Sequence, residues 1–89
     1  MKKKQELFKT VNHILIDYIL DNYPSDFNKK NLPLDKSLLD LDILDSYGVI
    51  QLVLFIETNW NIEILDEEIT REKMGSINKM AELITQKIS

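Results

Sequence analysis

From about Lys3 to Asn22, the apolar residues Leu7, Val11, Ile14, Leu15, Tyr18 and Ile19 recur at three- and four-residue steps. That spacing gathers them on one side of an amphipathic helix. Tyr23-Pro24-Ser25-Asp26 ends it, because the residue before a proline is pushed out of helical geometry. Residues 24–45 are weakly patterned: Ser25 to Pro33 is polar, and Leu34 to Leu44 mixes leucines with aspartates. A loop this long is uncommon unless it is functional or pinned by its own side chains. Leu34, Leu38, Leu41, Ile43 and Leu44 are expected to pin it, with a short helical turn near Ser37 to Leu41.

A second helix is predicted from about Ser46 to Asn59, with Asp45 or Ser46 as N-cap. A negative charge there complements the helix dipole. Ile50, Val53 and Leu54 form one stripe along it, while Val49, Leu52 and Ile56 form an overlapping, rotated one. A helix apolar around so much of its circumference is either deeply buried or shows a sticky patch to partners. Burying all of it is difficult in so short a chain. Asn61-Ile62-Glu63-Ile64 alternates like a strand but is too short and isolated to build a sheet. It reads as an extended link whose isoleucines plug the core. Asp66-Glu67-Glu68-Ile69 predicts a short helical turn running on through Thr70 to Met74 and ending at Gly75. Ser76 then caps a last helix carrying Ile77, Met80, Ala81, Ile84 and Ile88 at helical spacing. The expected fold is all-α: a small four-helix bundle, three main helices plus one short one, with a long loop between the first and second. Residues 1–89 are expected to form one domain.

Composition sharpens this picture. Two glycines and two prolines in 89 residues leave little room for tight turns, which favours helices over many short strands. Without cysteine there are no disulfides and no thiolate ligands, so any thiol chemistry must arrive on a cofactor. A net charge of −4 argues against nucleic acid and for partners with a basic docking surface. Lys2-Lys3-Lys4 resembles the start of a secretion signal. The segment behind it holds Glu6, Lys9, Asn12, His13 and Asp17, so it lacks the unbroken apolar run such a signal needs. No stretch approaches the ~20 apolar residues of a membrane span. A cytoplasmic protein is expected.

Candidate chemistry centres on Asp45-Ser46-Tyr47-Gly48. A serine at the first turn of a helix suits an esterified phosphate, because free backbone N–H groups and the dipole favour negative charge there. The plainer reading is that Ser46 is only a cap. His13, the single histidine, falls off the apolar stripe of the first helix and reads as a surface residue. A serine displayed without its own base suits modification by another enzyme better than a role as nucleophile. A Ser-His-Asp hydrolase would also need an oxyanion hole and a cavity, for which a small helical bundle offers little room. Asp40-x-Asp42 opens like a calcium loop, but Asp45 and Gln51 stand where glycine and glutamate are needed. No metal site is expected.

Leu44-Asp45-Ser46-Tyr47-Gly48, Gln51-Leu52, Ile56-Glu57, Trp60 to Ile64 and the acidic Asp66-Glu67-Glu68 together resemble the acyl carrier protein family. The resemblance covers nearly the whole chain. It implies a protein that is not itself an enzyme. In such a protein the motif serine, here Ser46, carries a 4′-phosphopantetheine arm attached from coenzyme A by a phosphopantetheinyl transferase. Acyl groups ride on the arm's thiol as thioesters, which also supplies the thiol that this chain lacks. Asp45 matches the acidic residue before the serine and is expected to aid recognition by the transferase. Tyr47 stands where the family has leucine or methionine. On the family's pattern Leu52 and Ile56 are core, leaving Val49 and Val53, with Tyr47, as the expected partner-facing residues. The apolar second helix departs from the acidic one of many fatty-acid carriers, and Gly48, Gln51 and the stretch from Thr70 to Lys79 look closer to D-alanyl and peptidyl carriers. An acyl carrier of fatty acid or secondary metabolite biosynthesis is the first expectation, and an aminoacyl carrier the second. Either would work as a monomer with loading and processing enzymes. The rival of another class is a helical interaction domain whose serine is inert.

Overall fold

The computed structural model describes residues 2–89, without the side chain of Lys2. Four α-helices follow one another: α1 (Lys2–Asn22), α2 (Ser46–Trp60), α3 (Arg71–Met74) and α4 (Ile77–Ile88), with a 3-10 turn at Asp66–Glu68 before α3. The fold is all-α, three longer helices and one short one, with the expected loop between α1 and α2. Of the periodic positions of α1, Val11, Leu15 and Ile19 are fully buried, Leu7, Ile14 and Tyr18 are half-buried, and Ile16, off the expected stripe, is buried as well. The buried ones pack with Leu52 and Ile56 of α2 and with Ile77, Met80 and Ile84 of α4 in a single cluster. The Tyr23 N–H still reaches the Ile19 carbonyl at 3.0 Å, and Pro24 stops the helix there.

The long loop is pinned as its leucines suggested, and also by backbone bonds to the far end of the fold. Leu38, Ile43 and Leu44 are buried, Leu34 and Leu41 are half-buried, and Leu32, not among the expected pins, is buried too. A helical turn forms where expected, with the Leu41 N–H on the Ser37 carbonyl at 3.0 Å. The Leu38 N–H donates to the Gly75 carbonyl and the Asn78 N–H to the Leu34 carbonyl, both at 3.0 Å. Arg71 adds a two-pronged bond to Asp40, at 2.9 and 3.1 Å. A Cβ at Gly75 would collide with the Arg71 carbonyl oxygen, so glycine lets α3 turn into α4 at this point.

Beyond α2 the chain turns at Asn61, in left-handed geometry that asparagine tolerates (φ 52°). The link that follows is extended, and Ile64 is buried as expected. Its N–H is held at 2.9 Å by the Glu57 carboxylate, which reaches forward from α2. The helical turn expected to run from Asp66 to Met74 is instead two pieces. Thr70 interrupts it, with a side chain that caps α3 by accepting the Lys73 N–H at 3.2 Å. Glu68 secures the start of the first piece by accepting the Leu65 N–H at 2.9 Å, and also pairs with the Lys87 ammonium at 2.8 Å.

One expectation about α2 is corrected. Val53 is 8% exposed and belongs to the core, whereas Ile50 and Leu54 are 60% and 58% exposed. Val49 is half-buried. The helix is rotated so that Leu52, Val53 and Ile56 face inward together. Tyr18 of α1 stacks on Phe55 at 3.9 Å between centroids, and Phe55 meets Trp60 edge-on at 6.1 Å. That aromatic row fixes the rotation and turns Ile50 and Leu54 outward.

Candidate functional site

The backbone changes from extended to helical at Asp45, whose φ and ψ are −105° and −175°. Of the two candidate caps, Asp45 takes the position: its Oδ1 accepts the Gly48 N–H at 2.8 Å, and its carbonyl accepts the Val49 N–H at 3.0 Å. Ser46 is therefore the first residue of α2 and is released from capping. It is exposed. Among the described residues its hydroxyl has no hydrogen-bond partner. The N–H groups of Ser46 and Tyr47 precede the first helical acceptor, so this hydroxyl stands at the positive end of the helix dipole.

The chain's one histidine is not beside Ser46 to take its proton. Asp45 Oδ1 is committed to Gly48. His13 lies on the far element, lining a groove between α1 and α4 with Lys9 and Glu82. No cluster of three potential metal ligands exists among the described residues. What the arrangement can do is present one hydroxyl to the active site of another protein.

The environment of that hydroxyl is apolar on one flank. Tyr47 is 68% exposed, and with Ile50 and Leu54 it continues an outward apolar stripe along α2. Behind the stripe, Val49, Leu39, Leu44, Ile69 and Met74 line a cavity of about 200 Å³ between α2 and the 66–74 segment. Tyr23, which sequence reasoning passed over as part of a helix stop, reaches across the site. Its hydroxyl lies 3.1 Å from Gln51 Oε1 and 3.4 Å from the Gly48 carbonyl. Burial, then the neighbouring Tyr18, pushes its phenol up to about 12. No local sequence signal could have found it, because Gly48 and Gln51 lie 25 and 28 positions further along the chain.

No protein-family model matches the chain. The D-alanyl carrier protein of Streptococcus mutans serotype c is 26% identical over 86 residues, 97% of this chain and 95% of that protein. The D-alanyl carrier protein of Streptococcus equi subsp. zooepidemicus is 34% identical over 53 residues, 60% of this chain and 67% of its own. That of Streptococcus sanguinis is 30% identical over the same length and shares. With an all-α fold and these relatives along its length, the chain belongs to the phosphopantetheine-dependent carrier protein family.

Proposed function

We propose that this protein is an aminoacyl carrier: Ser46 takes a 4′-phosphopantetheine arm from coenzyme A, and the amino acid carried is D-alanine. The observation that carries the reading is Ser46 itself, exposed at the first position of α2 while Asp45 does the capping. Ser46 is free to be esterified without loss of the cap. A phosphate on its Oγ would lie against the N–H groups of the first turn. When attached, the arm supplies the thiol that a cysteine-free chain cannot. Asp45 has a second carboxylate oxygen, exposed beside the target, for a basic side chain of the transferase.

Sequence patterns put an acyl carrier first and an aminoacyl carrier second. Similarity to D-alanyl carriers along 97% of the chain reverses that order. Partner enzymes would dock on Tyr47, Ile50 and Leu54, with Val49 at the edge of the patch. Val53 has no part in this, being core. Among the described residues no helix is long and apolar enough to cross a membrane. A cytoplasmic monomer meeting its partners in turn fits the reading.

Intact mass after incubation with coenzyme A and a broad-specificity phosphopantetheinyl transferase tests the first half. The wild-type chain should gain one arm and Ser46→Ala none, with the variant's helix content unchanged. Competition between a D-alanine-activating enzyme with ATP and a fatty-acyl loading enzyme tests the second. Exclusive fatty-acyl loading would return the protein to the acyl carriers. A wild-type chain that takes no arm would leave the inert interaction domain.

A further inference from the structure

We infer that Tyr23 is a positioning residue for modification at Ser46, acting as a clamp from the end of α1 on the first turn of α2. The inference rests on the carrier reading above. Ser46 is a single-turn neighbour of Gly48, whose N–H is tied down by Asp45 Oδ1 at 2.8 Å. Its carbonyl is approached from the other side by the Tyr23 hydroxyl, at 3.4 Å, with Gln51 Oε1 the nearer acceptor at 3.1 Å. One hydroxyl proton is thus shared between two acceptors on successive turns. A carbonyl has two lone pairs, so Gly48 can accept it without leaving the helical ladder.

The ring matters as much as the hydroxyl. A Cβ at Gly48 would sit 3.4 Å from Tyr23 Cε1 and 3.2 Å from Leu44 Cδ2. Gly48 is buried under the tyrosine, within ordinary contact range of the ring, and the tighter approach comes from Leu44. Tyr23 is itself seated edge-on against Tyr18, at 6.0 Å. It follows the last turn of α1 directly, so it is held from a rigid element. Gly48 and Gln51 therefore have one physical partner in common. A serine at a helix N-terminus is the position most prone to fray, and a clamp here lowers the disorder that a transferase would otherwise have to remove. Restricting a reacting group to productive geometry raises the rate of the chemical step rather than the affinity.

The test uses the full chain with coenzyme A and the broad-specificity transferase, comparing wild type, Tyr23→Phe, Gln51→Leu and the double variant. The phenylalanine keeps the ring over Gly48, so the fold is retained. Each single change should lower kcat for arm transfer about fivefold, the worth of one net hydrogen bond. KM for the chain should stay as it is. The double variant should be no slower than either single one, because both remove the same contact. Amide exchange at Gly48 and Val49 should accelerate in both single variants while that at Ile84 does not. A raised KM with unchanged kcat would make Tyr23 a docking contact and overturn the inference. Faster exchange with unchanged kcat would also overturn it. A wild-type chain that gains no arm refutes the carrier reading. Exchange then judges the clamp alone: acceleration at Gly48 and Val49 supports it, and its absence overturns it.

Discussion

Helices α2 and α4 both carry a strong apolar pattern, yet the fold uses them in opposite ways. In α4, Ile77, Met80, Ala81, Leu83 and Ile84 are all buried, while Lys79, Glu82 and Gln86 face outward. Its apolar stripe matches what the neighbours can cover. In α2, Leu52, Val53 and Ile56 are covered, but Tyr47, Ile50 and Leu54 are more than half exposed. The surplus lies on the same helix as Ser46 and starts beside it. A small protein that gains nothing from exposing isoleucine and leucine in a row has a reason to keep them for something that binds. The difference separates residues that hold the fold from exposed apolar residues that the proposed function assigns to partners.

Truncation should separate the two sets most sharply. Ile84→Ala in α4 and Ile56→Ala in α2 both remove a fully buried side chain. Each should cost ~2–5 kcal/mol in urea unfolding. Val53→Ala should also destabilise, by up to ~1.5–3 kcal/mol, because its side chain is desolvated too. Ile50→Ala and Leu54→Ala should stay within ~0.5 kcal/mol of wild type. Those two should instead slow loading by the partner enzyme, since the contact they lose is intermolecular. If Leu54→Ala destabilises the fold as much as Ile56→Ala, the outward stripe is structural and the contrast between the helices collapses.

The rotation of α2 shows where sequence reading stops. The helices, the loop's leucine pins, the plug at Ile64 and the cap at Ser76 all follow from local spacing. In α4 local spacing also suffices to choose the buried face, because polar residues fill the other side. In α2 the apolar positions overlap around the helix, so Val53 and Ile50 look interchangeable. The choice is made by Tyr18 stacking on Phe55, a contact across 37 positions of chain. The break at Thr70 and the ties from Arg71 to Asp40 and from Glu68 to Lys87 are long-range or competitive in the same way. At the site, the Asp-Ser pair was legible as a helix start. Tyr23 was not, because nothing in its own neighbourhood points to Gly48 and Gln51.

A middle-sized effect distinguishes capping from recognition at Asp45. Asparagine caps about as well as aspartate, while alanine does not. Asp45→Ala should therefore cost ~0.5–2 kcal/mol and slow arm transfer as well. Asp45→Asn should keep the melting temperature and slow transfer alone, most visibly at low salt where charge steering is strongest. Equal transfer rates for Asp45→Asn and wild type at low salt would reduce Asp45 to a cap. That result would make the start of α2 resemble the start of α4, where Ser76 is buried and only caps.

The smallest expected effects come from the polar anchors of the two helices, which should fail at opposite ends of the pH scale. At α4 the anchor is Glu68 with Lys87, both side chains largely covered, at 22% and 14% exposed for Lys87 and Glu68. The Lys87 ammonium, and then the Leu65 N–H, hold the Glu68 carboxyl below its ordinary value of 4.5. A depressed folded value means the unfolded chain binds the proton more readily, so the contribution is complete above about 4.5 and fades as pH falls through the folded value. At α2 the anchor is Tyr23, raised from 10.0 to about 12, chiefly by burial. Here the folded chain holds the proton more tightly, so the contribution is complete below 10 and is lost as pH rises from 10 towards 12. Thermal melts across both ranges read this directly, with Glu68→Gln and Tyr23→Phe as difference controls. Glu68→Gln should flatten the acid limb, and Tyr23→Phe should flatten the alkaline one. In alkali the loss should appear first as faster amide exchange at Gly48, before α4 responds, because Tyr23 touches the site and Glu68 does not. A Tyr23→Phe profile that keeps the wild-type alkaline loss would show that Tyr23 is not the group behind it, and a Glu68→Gln profile that keeps the acid loss would say the same of Glu68.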